Sequence, residues 1–367
     1  MVAAGFTGGE ADQLRRAMAK WKKNGELFKF KSKLINGMES RGYETSFAER
    51  IFEQICGFGE YGFPESHSAS FAVLAYTSAW LKFYYPEAFY ISLLNSLPMG
   101  FYSASQLIQD ARRHGLIILP VCINNSQYNH SMTNNDQGYA IRLGLRLVKG
   151  LSQKAADKLI SYRPKDGFSH ISDLKFSDVH RRDIELLASA DAFKVLSGNR
   201  YSARWSIMNG ETELPLFKDL ALPVENHQYA PNDFDTLTED YASTGLTLNK
   251  HPITLLMESQ KLGRFTRMNK LVDIRHKALV CVVGVVTGKQ SPGTASGVTF
   301  FTLEDDTGNI NVIVWAGTAR AQKKAYLSAK IIKVVGILER EGEVTHIIAG
   351  KLIDLTSSLS QLNVNSR

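Results

Sequence analysis

"VKGLSQKAADKLI", residues 148 to 160, decides how the middle of this 367-residue chain folds. An apolar approach is followed by a glycine at Gly150, and the apolar residues then return at helical spacing. Ala156 and Leu159 fall on one face of the predicted helix, and the hydroxyl of Ser152 can cap its first turn. The stretch therefore predicts two helical segments joined by a tight turn, a helix-hairpin-helix.

The turn of such a hairpin exposes backbone N–H groups beside a helix N-terminus. Unpaired donors and the helix dipole both favour an anion there, and a phosphate oxygen of DNA fits this chemistry. No base would be read, so binding would be independent of sequence. Many such hairpins carry a second glycine where this chain has Ser152. The alternative is an ordinary helical hairpin without a ligand.

Towards the C-terminus the chain changes to five strand-like runs rich in Val and Ile. A helical stretch, residues 318 to 327, falls between the third and fourth runs, and this order predicts a five-stranded OB-fold barrel. Such barrels bind single strands by stacking bases on aromatic side chains. Side-chain alternation sends Phe300 and Phe301 to opposite faces, so one of them belongs to the core. We take Phe301 and Trp315 as the stacking candidates, against the alternative of a purely structural barrel.

The sequence patterns of the remaining segments predict a multidomain α+β fold. Residues 1–100 have helical periodicity, residues 101–195 contain the hairpin, residues 196–260 read as a proline-punctuated linker, and residues 261–367 hold the barrel. Lys and Arg number 43 against 36 Asp and Glu, which gives a formal charge of +7 and favours a polyanionic partner.

Three widely separated cysteines show no metal-ligand spacing and indicate a reduced, cytoplasmic protein. No window reaches the ~18 uninterrupted apolar residues of a membrane span. Asp233 and Asp235 form a D-x-D pair, but they lie in the predicted linker rather than on a rigid strand, so we assign them no metal. "LEDDTG", residues 303 to 308, is interpreted as a turn between two strands of the barrel.

Two helical stretches near the N-terminus place charge where an anion could bind. Arg16 and Lys20 are one turn apart in a basic helix that follows two glycines, which suits a triphosphate or a DNA backbone. A solvated basic face is the alternative. In an apolar helix further on, His67 and Phe71 are four residues apart and share a face, so they could contact a phosphate and a base. A local hydrogen-bonding role for His67 is the alternative.

Long stretches of this sequence resemble the bacterial C-family DNA polymerases, the DNA polymerase III alpha subunits, and within them the error-prone branch. The stretches follow the family's order and cover nearly the whole chain; they are "FTGGEADQLRRAMAKWKK", "FPESHSASFAVLAYTSAWLKFYYPEAF", "DARRHGLIILPVCINNS", "IRLGLRLVKGLSQKAADKLI", "DYASTGLTLNKHP" and "PGTASGVTFFTLEDDTGNINVIVW". The resemblance begins inside the fingers, so residues 1–100 would be the C-terminal part of that region. The family's palm carboxylates, which bind two Mg²⁺, then have no counterpart here, and this chain alone would be inactive.

The resemblance also implies a role for individual residues. Residues matching the fingers segments would bind the incoming nucleotide: Arg15, Arg16, Lys20, His67 and Phe71, the last standing where many relatives have Tyr. Residues of the hairpin would bind duplex DNA: Lys149, Gly150, Ser152 and Lys154. "TELPLF" resembles a clamp-binding peptide, with Leu214, Leu216 and Phe217 as candidates, although Glu213 replaces the usual Gln.

The function that follows is the C-terminal part of an error-prone DNA-directed DNA polymerase acting in DNA repair and translesion synthesis. Its partners would be primer-template DNA, single-stranded template, a dNTP and a sliding clamp or another polymerase-associated protein. A second hypothesis is a non-catalytic DNA-binding adapter built from the hairpin and the barrel. A third takes the barrel alone as a binder of tRNA or other RNA.

Overall fold

The computed structural model describes residues 1–24, 26–61, 65–100, 102–136, 138–209, 230–292, 297–342 and 344–360. The chain divides into two compact units, Met1–Tyr84 and Tyr85–Arg367. The first unit is helical. Its helices are α1 (Gly8–Asn24), α2 (Lys31–Glu39), α3 (Thr45–Tyr61) and α4 (Glu65–Tyr84), with a 3-10 helix at Glu26–Phe30.

Helix α1 begins with a reciprocal cap. The N–H of Glu10 donates to Oγ1 of Thr7 at 3.3 Å, and the N–H of Thr7 donates to Oε2 of Glu10 at 3.0 Å. Lys33 of α2 donates to the same carboxylate, and with the Thr7 bonds it lowers the pKa of Glu10 to about 2. A small core of Leu34, Met38 and Phe52 with Phe6 and Ala48 then holds α1, α2 and α3 together.

Helix α4 is different, because large apolar side chains are exposed along its length. They include Phe71, Val73, Leu74, Tyr76, Trp80, Leu81, Phe83 and Tyr84. The helix ends before Pro86, as the sequence predicts, because the residue preceding a proline is disfavoured in the helical region.

The second unit begins with a helical domain that includes a small sheet. Its elements are α5 (Pro86–Asn95), α6 (Ala104–Arg113), β1 (Ile117–Leu119), β2 (Ser131–Asn135), β3 (Gly138–Arg142), α7 (Gln153–Tyr162), α8 (Arg181–Ser189), α9 (Lys194–Ser197), α10 (Arg200–Asn209) and α11 (Asp233–Ser243). The next helix, α12 (Pro252–Glu258), buries Ile253 and Leu256 with Val283 and Ile331 of the C-terminal strands. Strand β3 is central and pairs parallel with β1 and antiparallel with β2. Helix α5 contributes Tyr90 and Leu94 to this domain's core, which moves the boundary predicted at residue 100 back to Tyr84.

The C-terminal domain is a closed barrel, as predicted. Its strands are β4 (Leu279–Gln290), β5 (Thr299–Glu304), β6 (Asn309–Val314), β7 (Ile331–Glu341) and β8 (Val344–Asp354), joined in the order β4-β5-β6-β8-β7. Helices α13 (Ala316–Ala321) and α14 (Lys323–Ser328) fill the predicted helical slot, and α15 (Thr356–Ser360) follows the last strand. All neighbours are antiparallel except β6 and β8. This five-stranded barrel with a helical insertion confirms the predicted OB-fold.

The predicted linker, residues 196–260, needs correction. The structure forms α10, α11 and α12 within it, and it buries Leu237, Leu246 and Ile253. Each of these helices is short. The polar and proline residues that suggest a linker in the sequence include residues that begin the helices. Asn232 accepts from the N–H of Asp235 at 2.7 Å, and Pro252 occupies the first helical position of α12, where proline is favourable.

Candidate nucleic-acid interface

The hairpin turn folds as the sequence predicts. A 3-10 helix at Leu145–Leu147 leads into it and α7 leaves it. Gly150 has a φ of +84°, and a Cβ there would lie 3.3 Å from Cδ1 of Leu186, so both backbone and space favour glycine. Ser152 caps α7, because its Oγ accepts from the N–H of Ala155 at 3.1 Å.

The turn presents donors to solvent. Lys149, Gly150, Ser152 and Lys154 are all exposed. In the described part of the chain, the N–H groups of Gln153 and Lys154 have no hydrogen-bond acceptor, as expected for the first turn of a helix. The structure therefore brings the four predicted residues together around donors that suit a phosphate oxygen.

Lys149 differs from Lys154 in its contacts. Its ammonium group donates to the carbonyl oxygen of Tyr241 at 2.6 Å, and its backbone N–H donates to that of Ser243 at 2.8 Å. Both acceptors lie in the last turn of α11. The Lys154 ammonium has no hydrogen-bond or ionic partner among the residues that the structure describes.

The barrel corrects one predicted residue. Phe301 is 1% exposed, and its ring lies against Tyr326 with centroids 5.6 Å apart, so it belongs to the core and cannot stack on a base. Phe300, its neighbour, is 36% exposed and points outward. Trp315, which directly follows β6, is 52% exposed and remains a candidate.

Register identifies an outer row that sequence reasoning missed. Phe300 on β5 is paired with Gln290 on β4 and with Ile313 on β6, and Ile313 is paired with Ile348 on β8. Paired residues point to the same face of a sheet, so these four side chains cross the barrel surface together. The alternation in "VTFFTL" shows that one phenylalanine is outside, but only the pairing partners show which one.

Two predicted nucleotide contacts lie on α1. Arg15 and Arg16 are exposed and both pair with Asp12, at 2.8 and 2.7 Å. The hydrogen bond from Arg15, with the charges of both guanidinium groups, lowers the pKa of Asp12. The carboxylate thus gathers two cations on one face of the helix. The side chain of Lys20 lies outside the described part of the chain.

The other predicted pair lies near the start of α4. The rings of His67 and Phe71 are 4.5 Å apart between centroids, with an interplanar angle of 64°, so the structure places them on one face as predicted. Both are exposed. The clamp-binding candidates Leu214, Leu216 and Phe217 lie outside the described residues.

The acidic stretches have structural partners. Asp233 lies in the first turn of α11 and pairs with Lys250 at 2.9 Å, while Asp235 lies in the same turn. Asp305 accepts from the N–H groups of Thr307 and Gly308, which confirms "LEDDTG" as the β5–β6 turn. Within the described ranges, no three His, Cys, Asp or Glu residues form a group that could hold a metal ion. None of the helices described is long and apolar enough to cross a bilayer.

Comparison with known families gives each region a class. Residues 115–203 match the helix-hairpin-helix motif, and residues 280–355 match the OB-fold nucleic acid binding domain. Residues 1–42 match the finger domain of the bacterial DNA polymerase III alpha subunit. These matches define a multidomain chain whose parts are similar to a helix-hairpin-helix motif, an OB-fold nucleic acid binding domain and a finger domain of a DNA polymerase III alpha subunit.

Curated relatives that match the whole chain are error-prone DNA polymerases. The chain is 67% identical over 368 residues to an error-prone DNA polymerase of Vibrio campbellii, 66% to that of Vibrio parahaemolyticus and 50% over 373 residues to that of Idiomarina loihiensis. Each match covers 100% of this chain and 36% of the relative. The chain is therefore similar, along its whole length, to one part of the error-prone DNA polymerases, and it spans about a third of the length of these relatives.

Likeness to solved structures is confined to small parts. An asparaginyl-tRNA synthetase from Pyrococcus horikoshii matches 26% of this chain and 23% of its own, at 16% identity and a TM-score of 0.23. The Stn1–Ten1 complex of S. pombe matches 24% of this chain and 66% of its own, at 15% identity and a TM-score of 0.20. Likenesses this low carry no argument about function.

Proposed function

We propose that this chain is the part of an error-prone DNA polymerase, acting in DNA repair and translesion synthesis, that holds DNA and the incoming nucleotide. The observation that carries the proposal is 67% identity to such a polymerase along the whole chain. In the reaction, a primer 3′-hydroxyl attacks the α-phosphate of a dNTP, forms a phosphodiester bond and releases pyrophosphate. No step of bond formation is assigned to the described residues of this chain.

Duplex DNA would bind at the hairpin. The N–H groups of Gln153 and Lys154 and the Lys154 ammonium suit phosphate oxygens and contact no base edge, so the site would accept any sequence. A single-stranded template would bind at the barrel, where Phe300 and Trp315 offer exposed rings. We keep the sliding clamp as a candidate partner of the "TELPLF" segment.

The incoming nucleotide would bind at the first unit. Arg15 and Arg16 lie on one face of α1 around Asp12, and a triphosphate can compete with that carboxylate for two guanidinium groups. His67 and Phe71 would add a donor and a ring. The Mg²⁺ ions that such polymerases use are assigned to palm carboxylates in the part of the relatives that this chain does not span.

DNA binding is tested with the whole chain and fluorescently labelled primed DNA. We expect measurable binding in dilute buffer, and the logarithm of the affinity should fall against the logarithm of salt with a slope of about −0.9 per phosphate neutralised. Primer extension should require addition of the remaining part of the polymerase. Absence of binding at low salt would remove the proposal.

Replacing Arg16 with Ala tests the nucleotide role. In a complete polymerase containing this chain, we expect the KM for dNTP to rise or kcat to fall by about tenfold or more, because charge-assisted hydrogen bonds to phosphate contribute about 1.5–3 kcal/mol. Steady-state primer extension measures both constants. The matched control is Arg275→Ala, an exposed arginine before the barrel. Equal kinetics of the two variants would exclude Arg16 from the role.

A further inference from the structure

A segment beyond the match to the hairpin family completes the hairpin. We call Asp240–Asn249 the strap; it comprises the end of α11 and the residues after it. Leu246 of the strap is buried in the same core as Leu145, Val148 and Leu151. The strap therefore packs as part of the hairpin domain, although about ninety residues of sequence separate it from the turn.

The strap holds Lys149 at two points. Its carbonyl oxygens at Tyr241 and Ser243 accept from the Lys149 ammonium and backbone N–H, at 2.6 and 2.8 Å. A cation is favourable at this place, because the last carbonyl groups of a helix carry the negative end of its dipole. Lys149 thus anchors the first half of the turn to the carboxyl end of α11.

Buried polar contacts hold the strap in turn. The Asp240 carboxylate pairs with Arg200, which is 2% exposed, and it also accepts from Oγ1 of Thr247 at 2.7 Å and Nδ2 of Asn249 at 3.0 Å. These bonds join α10, α11 and the end of the strap. The acceptors of Lys149 therefore lie in a helix end that is itself held by these buried contacts.

Gly245 allows the close approach of strap and lysine. Its φ is +84°, a conformation that favours glycine, and a Cβ there would lie 3.3 Å from Cε of Lys149. A larger residue at this position would strain the strap, and its Cβ would require the Lys149 side chain to shift by a few tenths of an ångström. The chain thus offers a way to disturb the contact without removing a charge.

We propose that Lys149 is a positioning residue of the DNA-binding hairpin rather than a phosphate ligand, and that the strap holds it. Through the two strap contacts it fixes the turn whose N–H groups bind the phosphate, while Lys154 supplies the neutralising charge. This proposal differs from the sequence-based expectation that both lysines contact DNA. The inference rests on the proposed function, since it assumes that the hairpin binds duplex.

The test measures affinity of the whole chain for labelled duplex DNA by fluorescence anisotropy at several salt concentrations. Lys154→Met should reduce the steepness of the salt dependence by about 0.9, as expected for one phosphate contact. Lys149→Met should weaken binding about threefold to tenfold at every salt concentration and leave the slope unchanged, because a strong hydrogen bond that orders the turn is lost. Gly245→Ala should behave like Lys149→Met although it retains every cation.

Two results would overturn the inference. A slope reduced by about 0.9 in Lys149→Met would make that lysine a phosphate ligand. Wild-type affinity in a folded Gly245→Ala variant, checked by circular dichroism, would show that the strap does not position the turn. If Lys149→Met does not fold, the affinity of Gly245→Ala and the salt dependence of Lys154→Met still test the inference. Failure of the wild-type chain to bind duplex would instead remove the proposed function, and the inference with it.

Discussion

Replacing Asp240 with Ala should destabilise the second unit by about 3–5 kcal/mol, because it leaves the buried Arg200 guanidinium without its carboxylate. Arg200 is almost completely buried, and its Nη1 already has no acceptor among the described residues. The substitution also removes the acceptor of Thr247 and Asn249. A buried charge that has lost its paired carboxylate and two lost hydrogen bonds then act at one place.

Denaturant unfolding followed by circular dichroism measures this effect. The matched control is Asp233→Ala on the same helix, whose carboxylate is well exposed and pairs with Lys250. It should cost less than about 1 kcal/mol, as exposed pairs do. The double variant Arg200→Met, Asp240→Leu should be more stable than Asp240→Ala, because no charge remains buried. Similar stabilities of Asp240→Ala and Asp233→Ala would contradict the account.

Replacing Phe301 with Ala should destabilise the barrel by about 3–5 kcal/mol, the usual cost of removing a large aromatic side chain from a core. The ring packs among Leu303, Val312 and other core residues of the barrel and stacks on Tyr326. The cavity left behind can collapse only partly, since the surrounding strands form a closed barrel. Thermal and denaturant unfolding measure the loss.

Phe300→Ala is the matched control, since it removes the same ring from the outer face. We expect a stability loss of no more than about 1 kcal/mol, because surface substitutions have small effects. Its affinity for single-stranded DNA should fall by about 1–3 kcal/mol, the contribution of one stacked base. Equal destabilisation by both substitutions, with unchanged DNA affinity for Phe300→Ala, would remove the proposed binding face.

The hairpin and the barrel are predictable because each has a regular period and a marked turn. Ala156 and Leu159 are fully buried, as helical spacing from Gly150 predicts, and Ser152 caps α7. Five alternating runs with a helical slot suffice for the OB-fold. In both cases the signal is local, so one stretch of sequence carries it.

The structure corrects the sequence-based predictions where contacts between residues far apart in the sequence determine the fold. Helices α11 and α12 are hard to predict because each is too short to show a clear helical period. Ile253 and Leu256 of α12, for example, are buried with Val283 and Ile331 of the barrel strands, far along the chain. Long-range contacts also determine the candidate nucleic-acid interface. No local pattern shows that Lys149 contacts Tyr241, 92 residues away, or that the outward phenylalanine is Phe300.

Helix α4 carries aromatic and aliphatic side chains on its exposed surface, with Lys82 as its one cation. Exposure of apolar surface to water is unfavourable, and large contiguous apolar patches are rare on monomeric soluble proteins. The exposed apolar surface of α4 therefore favours self-association of the purified chain. We expect low protein concentration, a mild detergent or a polypeptide that covers α4 to keep the chain monomeric, and we expect precipitation when it is concentrated without them.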